Sequence, residues 1–293
     1  MEPRIIVDTM DQTGEGPLWH PIERKLYWGD ITRGLLYRLD PSSGKHELVF
    51  EADEMFGGYT FQVDGSILMF LESGKVASLK DGKLETLIDC LPGEEQNRFN
   101  DVIADPEGRV FCGTMCKDSA AAMDGTSLGT LYRMDTDGSI TVVEDNVAIS
   151  NGIGFTPDLT GMYYVDSPTG SIFLYDYARS TGSVSNKRVY RQATEQDGLP
   201  DGMTVDADGY VWSARVITGE LHRYSPSGEK VLSIDFPCNM VSSVIFGGNE
   251  YQDIYVTTIG GDDRSTHGEG AGALFHLDVN VKGRPDFLSN VKC

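Results

Sequence analysis

The sequence predicts an all-β protein, a six-bladed β-propeller, on three observations. A strand-and-turn unit recurs at a period in the forties along the whole chain. The apolar residues inside its strands alternate, and no segment sustains a helical period. Each unit contains a short segment ending in a turn, at residues 16–21, 58–65, 101–106, 152–157, 202–207 and 243–248. The residues just before these segments are Glu15, Gly57, Asn100, Asn151, Asp201 and Ser242, spaced 42, 43, 51, 50 and 41 apart. Further strand-like runs follow at 25–28, 66–70, 109–112, 161–165, 210–213 and 253–257. Hairpin strands such as Gly129-Thr130-Leu131-Tyr132-Arg133-Met134-Asp135 and Gly170-Ser171-Ile172-Phe173-Leu174-Tyr175-Asp176 come after most of them. About four strands per unit at this spacing is the signature of propeller blades. Six units fill the chain, so residues 1–293 read as a single domain. Residues 4–8 are expected to add a strand to the last unit, closing the ring and removing an exposed edge.

Composition narrows the function. Forty per cent of the 293 residues are apolar, enough for a real core, and 34 glycines and 12 prolines are spread among many turns. No apolar run approaches the roughly 20 residues of a membrane span, and the amino-terminal residues lack a signal-peptide pattern. The expectation is a soluble, cytoplasmic protein. Acidic residues outnumber basic ones 45 to 24, a formal charge of −21, which argues against nucleic acid and anionic membranes as partners. Five widely spaced cysteines (Cys90, Cys112, Cys116, Cys238, Cys293) fit reduced thiols better than a disulfide framework. Cys112 and Cys116 lack the two further ligands that a zinc site needs and read as structural.

In a propeller the first strand of each blade lines the central channel, so the six equivalent positions converge at one mouth. Glu15, Asn151 and Asp201 stand at three of them and Asn100 at a fourth. Two carboxylates and carboxamide oxygens are hard ligands, suited to Ca2+, Mg2+ or Mn2+. Three protein ligands would leave coordination positions for water and substrate. Each motif taken singly is an ordinary turn; their equivalence is what favours a metal site in the channel. The five histidines show no ligand spacing.

Five motifs stand in order along the chain: Gly14-Glu15-Gly16-Pro17-Leu18-Trp19, Arg98-Phe99-Asn100-Asp101, Gly113-Thr114-Met115, Ser150-Asn151-Gly152 and Pro200-Asp201-Gly202-Met203. With these the chain resembles the regucalcin (senescence marker protein)/gluconolactonase/luciferin-regenerating-enzyme-like family over nearly its whole length. The resemblance implies a six-bladed propeller, a single divalent metal and hydrolysis of sugar lactones. Glu15, Asn151 and Asp201 match the family's metal ligands, and Arg98 and Asn100 its substrate-contacting residues. Asp118 falls where some relatives place a substrate-contacting Glu, one methylene longer. Residues 117–127, rich in Ala, Ser and Gly, are expected to form a lid-like loop.

The expected reaction is lactone hydrolysis to the aldonic acid, with the metal as Lewis acid and Asp201 orienting or deprotonating the attacking water. Glucono-, galactono-, xylono- and arabinonolactone all fit. Ca2+ comes first among the metals, ahead of Mg2+, Mn2+, Zn2+ and Fe2+, and a monomer is the default. Three other functions stay open: a non-catalytic Ca2+-binding regulatory protein, a phosphotriesterase-like hydrolase and, ranked last, a propeller that serves only as an interaction scaffold.

Overall fold

The computed structural model describes residues 2–292; Met1 and the fifth cysteine, Cys293, lie outside the described residues. Strand β1 (Arg4–Val7) comes first. Blade one is β2 (Gly14–His20), β3 (Lys25–Asp30), β4 (Leu35–Asp40) and β5 (Lys45–Glu51). Blade two is β6 (Phe56–Phe61), β7 (Ile67–Leu71), β8 (Val76–Lys80) and β9 (Lys83–Ile88). Blade three is β10 (Asn97–Ala104), β11 (Val110–Cys116), β12 (Gly129–Met134) and β13 (Ile140–Val147). Blade four is β14 (Ser150–Phe155), β15 (Gly161–Asp166), β16 (Ser171–Ala178) and β17 (Ser183–Gln192). Blade five is β18 (Leu199–Val205), β19 (Val211–Val216), β20 (Glu220–Tyr224) and β21 (Lys230–Asp235). Blade six is β22 (Val241–Gly247), β23 (Asp253–Thr258) and β24 (Leu274–Asp278).

These six four-stranded sheets are the blades of a six-bladed β-propeller, as the repeat predicts. The sixth is completed by β1, which pairs antiparallel with β24, Ile5 opposite Phe275 and Val7 opposite Leu274. The strand expected from residues 4–8 is therefore in place. One short helix, α1 (Ser119–Met123), interrupts the segment expected as a loop; Asp118 caps it and the run of alanines favours it. No helix among the described residues is long and apolar enough to cross a membrane.

Buried aspartates shape the hairpins. Asp105 Oδ1 accepts from the backbone of Glu107 and Arg109, and Asp206 Oδ1 does the same for Asp208 and Tyr210. Such side-chain-to-backbone bonds are why Asp suits these turns. Each carboxylate also binds an arginine, Arg109 and Arg223 respectively, so its buried charge is paired.

The chain forms two compact units. One holds blades one, five and six (up to Asp53, with Tyr190–Asp286); the other holds blades two, three and four, with the stretch from Phe287. In the first unit β22 lies between β18 and β2. Its core includes Trp212 set edge-on to Phe246 at 5.7 Å and a second cluster around Trp19, Trp28 and Tyr255. In the second unit β10 lies between β6 and β14. There Phe70 meets Phe99 edge-on at 5.2 Å, and Phe111, Phe155 and Tyr177 form a second aromatic cluster. The tail laces this unit together: Ser289 N donates to Phe61 O, Asn290 N to Gly108 O and Lys292 N to Thr136 O. Cys90, Cys112, Cys116 and Cys238 are free thiols, the last three buried, in line with the structural reading.

Candidate active site

All six first strands carry the same irregularity. Pairing with the second strand slips between Glu15 and Leu18, Phe56 and Gly58, Phe99 and Val102, Asn151 and Ile153, Pro200 and Met203, and Val241 and Ser243. One extra residue on the first strand is a β-bulge, which turns a side chain out of the strand's alternation. The six positions singled out by spacing stand in these bulges or at their edge. In blade one the bulge needs a glycine: Gly16 has φ of 57°, the left-handed region, and its N–H donates to Glu15 Oε2 at 3.0 Å.

Four of the six positions hold buried side chains that carry carboxylate or carboxamide oxygens. Glu15, Asn100, Asn151 and Asp201 are 5, 6, 5 and 6 % exposed. Buried carboxylates and carboxamides must find partners, and this donor set fits a hard divalent cation. No cluster of three or more His, Cys, Asp or Glu among the described residues is placed to hold a metal. The expected set differs in kind, being two carboxylates and one carboxamide.

In the first unit, β22 spaces the two carboxylates. Ser242 Oγ donates to Gly14 O at 2.6 Å, next to Glu15. On the other side Ser243 fills the room left by Gly202, where a Cβ would sit 2.1 Å from its Oγ. Glu15 and Asp201 thus stand on the two strands to either side of β22. The approach to Asp201 is fixed by Asp197, which accepts from Thr194 N and from Lys230 Nζ at 2.9 and 2.7 Å. Burial alone would raise the Asp197 carboxyl, but Lys230 and Thr194 hold it below the usual carboxylate range.

In the second unit, the polar groups form one continuous chain. Arg98 donates to Asn100 Oδ1 at 2.6 Å; Asn100 Nδ2 donates to Ser150 O at 2.7 Å and to Asn151 Oδ1 at 2.8 Å. Asn151 Nδ2 then donates to Ser167 Oγ at 2.7 Å. Behind them Asp166 accepts from Ile149 N at 3.0 Å and from Ala148 N at 3.4 Å, pinning the turn that leads into Asn151. Burial raises the Asp166 carboxyl despite these bonds. Asp101, half-buried in the β10 bulge, is pushed up to about 7 by desolvation, against the pull of Arg98. Gly113 of the Gly-Thr-Met motif leaves room for Ser150, since a Cβ there would lie 1.6 Å from Ser150 Oγ.

Arg98 and Asn100 thus lie beside Asn151, while Asp118 is exposed and caps α1. Both capping bonds, from Ala120 N and Ala121 N, go to its Oδ1, leaving Oδ2 free of them. Sequence reasoning missed Asp166 and Ser167. A signal existed, because Tyr163-Tyr164-Val165-Asp166 matches Tyr27-Trp28-Gly29-Asp30, and Asp30 likewise accepts from Gln12 N and Thr13 N ahead of Glu15. Also missed was Gly125-Thr126-Ser127-Leu128-Gly129, which spells a nucleophile elbow. It runs from helix α1 into strand β12, the reverse of the strand-to-helix turn that exposes such a serine. His222 is buried against Tyr224 and pushed down to about 4 by desolvation.

Comparison with known proteins gives the following. The family model described as SMP-30/Gluconolactonase/LRE-like region matches residues 13–260. Pentonolactonase XacC of Haloferax volcanii is 44% identical over 294 residues, 98% of each chain. A luciferin-regenerating enzyme superposes with a TM-score of 0.88 at 28% identity, over 99% of this chain and 100% of that one. A calcium-binding protein, regucalcin from Agrobacterium tumefaciens, does so with a TM-score of 0.86 at 26% identity, over 97% and 96%.

Proposed function

The chain belongs to the SMP-30/gluconolactonase/LRE-like family, and from that premise we propose that it is a metal-dependent lactonase opening a sugar-acid lactone to its aldonic acid. The observation that carries this reading is the bonded pair Asn100 and Asn151, set in neighbouring bulges and braced by Arg98. It is a site of oriented, buried amide oxygens. The pentonolactonase at 44% identity favours a lactone of a five-carbon sugar acid within the class.

Glu15, Asn151 and Asp201 would hold the cation; the calcium-binding relative puts Ca2+ first, with Mg2+, Mn2+, Zn2+ and Fe2+ to be tested beside it. When bound, such an ion supplies Lewis-acid polarisation of the lactone carbonyl. Asp201 is the group proposed to orient the attacking water. A cation beside a carboxylate keeps it ionised, which favours positioning the water over deprotonating it. Arg98, Asn100 and Asp118 are proposed to contact the lactone hydroxyls, Asp118 through the Oδ2 that its cap leaves over. The formal charge of −21 repels the anionic product and so helps it leave. The reading carries with it a monomer working in the cytoplasm on a small sugar lactone, without nucleic acid or membrane.

The test is acid release, followed with a pH indicator, from five- and six-membered aldonolactones and one phosphotriester, using protein stripped with chelator and then given single metals. Metal-restored lactone turnover well above the spontaneous rate supports the proposal. Tight Ca2+ binding without turnover of any substrate supports the second reading, a non-catalytic regulatory protein that binds calcium as the regucalcin neighbour does.

A further inference from the structure

We propose that Ser167 is a positioning residue: with Arg98 and Ser150 O it locks the Asn100–Asn151 pair in the one amide orientation that offers Asn151 Oδ1, not Nδ2, as a metal ligand. The proposal rests on the metal reading above. The polar groups form a chain of donors and acceptors in which each link fixes the next.

A guanidinium can only donate, so the Asn100 atom 2.6 Å from Arg98 is an oxygen. A backbone carbonyl can only accept, so the Asn100 atom 2.7 Å from Ser150 O is the amide nitrogen. These two anchors agree independently. The same Nδ2 lies 2.8 Å from Asn151, which must therefore present Oδ1 to it and turn its own Nδ2 to Ser167 Oγ at 2.7 Å. The bond from Asn100 uses one lone pair of Asn151 Oδ1 and leaves the second for a cation. Turning either amide over would set donor against donor in a dry place, since Ser150 is fully buried and Ser167 only 4 % exposed. A buried group left unsatisfied in this way costs about 1–3 kcal/mol.

Ser167 is itself held firmly. It begins a 3₁₀ turn, Ser167–Thr169, that ends on left-handed Gly170, and its N–H donates to Ile149 O at 3.2 Å. Thr169 Oγ1 donates back to Asp166 O at 2.7 Å. The hydroxyl is thus held where its oxygen accepts from Asn151 Nδ2, and no recognised motif of the sequence includes it.

Calorimetric titration of Ca2+ into the stripped protein tests this, with thermal unfolding measured beside it. Ser167→Ala removes the acceptor for Asn151 Nδ2; the expected Kd for Ca2+ rises about 10-fold with the fold retained. Ser167→Thr keeps the hydroxyl and is expected to bind close to the parent. Asn151→Asp offers an oxygen whichever way it turns, so in that background Ser167→Ala should cost no further affinity. An equal loss in both backgrounds would mean that Ser167 only shapes the turn, and would overturn the proposal. Unchanged Ca2+ affinity of Ser167→Ala would do the same. Should Ser167→Ala fail to fold, Ser167→Cys, similar in size but a weaker acceptor, is read in the same two backgrounds. If the unaltered protein binds neither Ca2+ nor Mg2+ nor Mn2+, the metal reading has failed, and this proposal goes with it.

Discussion

The starts of β6 and β14 flank the same strand, β10, and carry the same one-residue bulge, yet they meet it in opposite ways. At β14 a side chain reaches across, and Asn151 is bonded to Asn100. At β6 there is no room for one. A Cβ on Gly57 would lie 1.9 Å from Phe99 O and 2.6 Å from Asn100 N, and one on Gly58 would lie 2.8 Å from Val102. At this level β10 sets its backbone against Gly57 of blade two and the Asn100 side chain against blade four. The bulge is a property of the fold, repeated six times; what stands in it decides whether a position packs or does chemistry. Gly57 is a requirement of the close approach that seats Asn100, and a polar residue could not have taken its place.

Four measurements would break or sharpen this contrast. The largest effect is expected from Gly57→Ala, which drives a methyl into the β10 backbone. It should cost about 3 kcal/mol or more and lower the thermal midpoint by several degrees. A variant as stable as the parent would mean that β6 can back away, and the asymmetry would be gone. Next comes Asn151→Leu, similar in size but without the amide. Lactone kcat/KM should fall at least about 100-fold, and Ca2+ binding with it, while the protein still unfolds cooperatively. Retained activity would remove Asn151 from the proposed ligands.

A smaller effect concerns pH. The Asp101 carboxyl, in the bulge between the two compared strands, is raised from 3.8 to about 7, chiefly by desolvation. Between these values the folded protein holds a proton that the unfolded chain has lost, so this contribution is full below 3.8 and disappears as pH rises through 7. Denaturant unfolding of the metal-stripped protein should show the parent losing stability over that window relative to Asp101→Asn; parallel curves would refute the shift. The smallest effect is expected from Asp118→Asn, which keeps the helix cap on Oδ1 and alters only Oδ2. KM for the lactone should rise about 3- to 5-fold, the scale of one lost hydrogen bond, with the midpoint unchanged. An unaltered KM would leave Asp118 as a cap alone.

The blade repeat was plain in the sequence because a four-stranded unit writes its turns and alternations at a fixed period, and even the added strand β1 showed as an apolar stretch at residues 4–8. Glu15, Asn100, Asn151 and Asp201 were legible as equivalent positions for the same reason. The bulges were not, since one unpaired residue has no spelling of its own; Gly16 hints at it only in blade one. The helix α1 was overlooked although Asp118, then Ser119 and three alanines, is a fair signal for it. Nor could spacing reveal the link from Arg98 through Asn100 and Asn151 to Ser167. It joins residues on two blades, and a serine in a turn looks like any other until its distance to an amide is known.

The pairing of β1 with β24 bears on how the molecule comes into being. Val7 meets Leu274, so during synthesis the first strand waits about 270 residues, roughly 15 to 50 seconds at ribosomal speed, before its partner emerges. Through that interval Arg4-Ile5-Ile6-Val7 is a short apolar ribbon with its backbone unclaimed. Blade six cannot be finished by early-made chain alone, and its last hydrogen bonds form only after nearly everything else has been translated. A nascent chain stalled late in blade six would therefore be the species most in need of a chaperone.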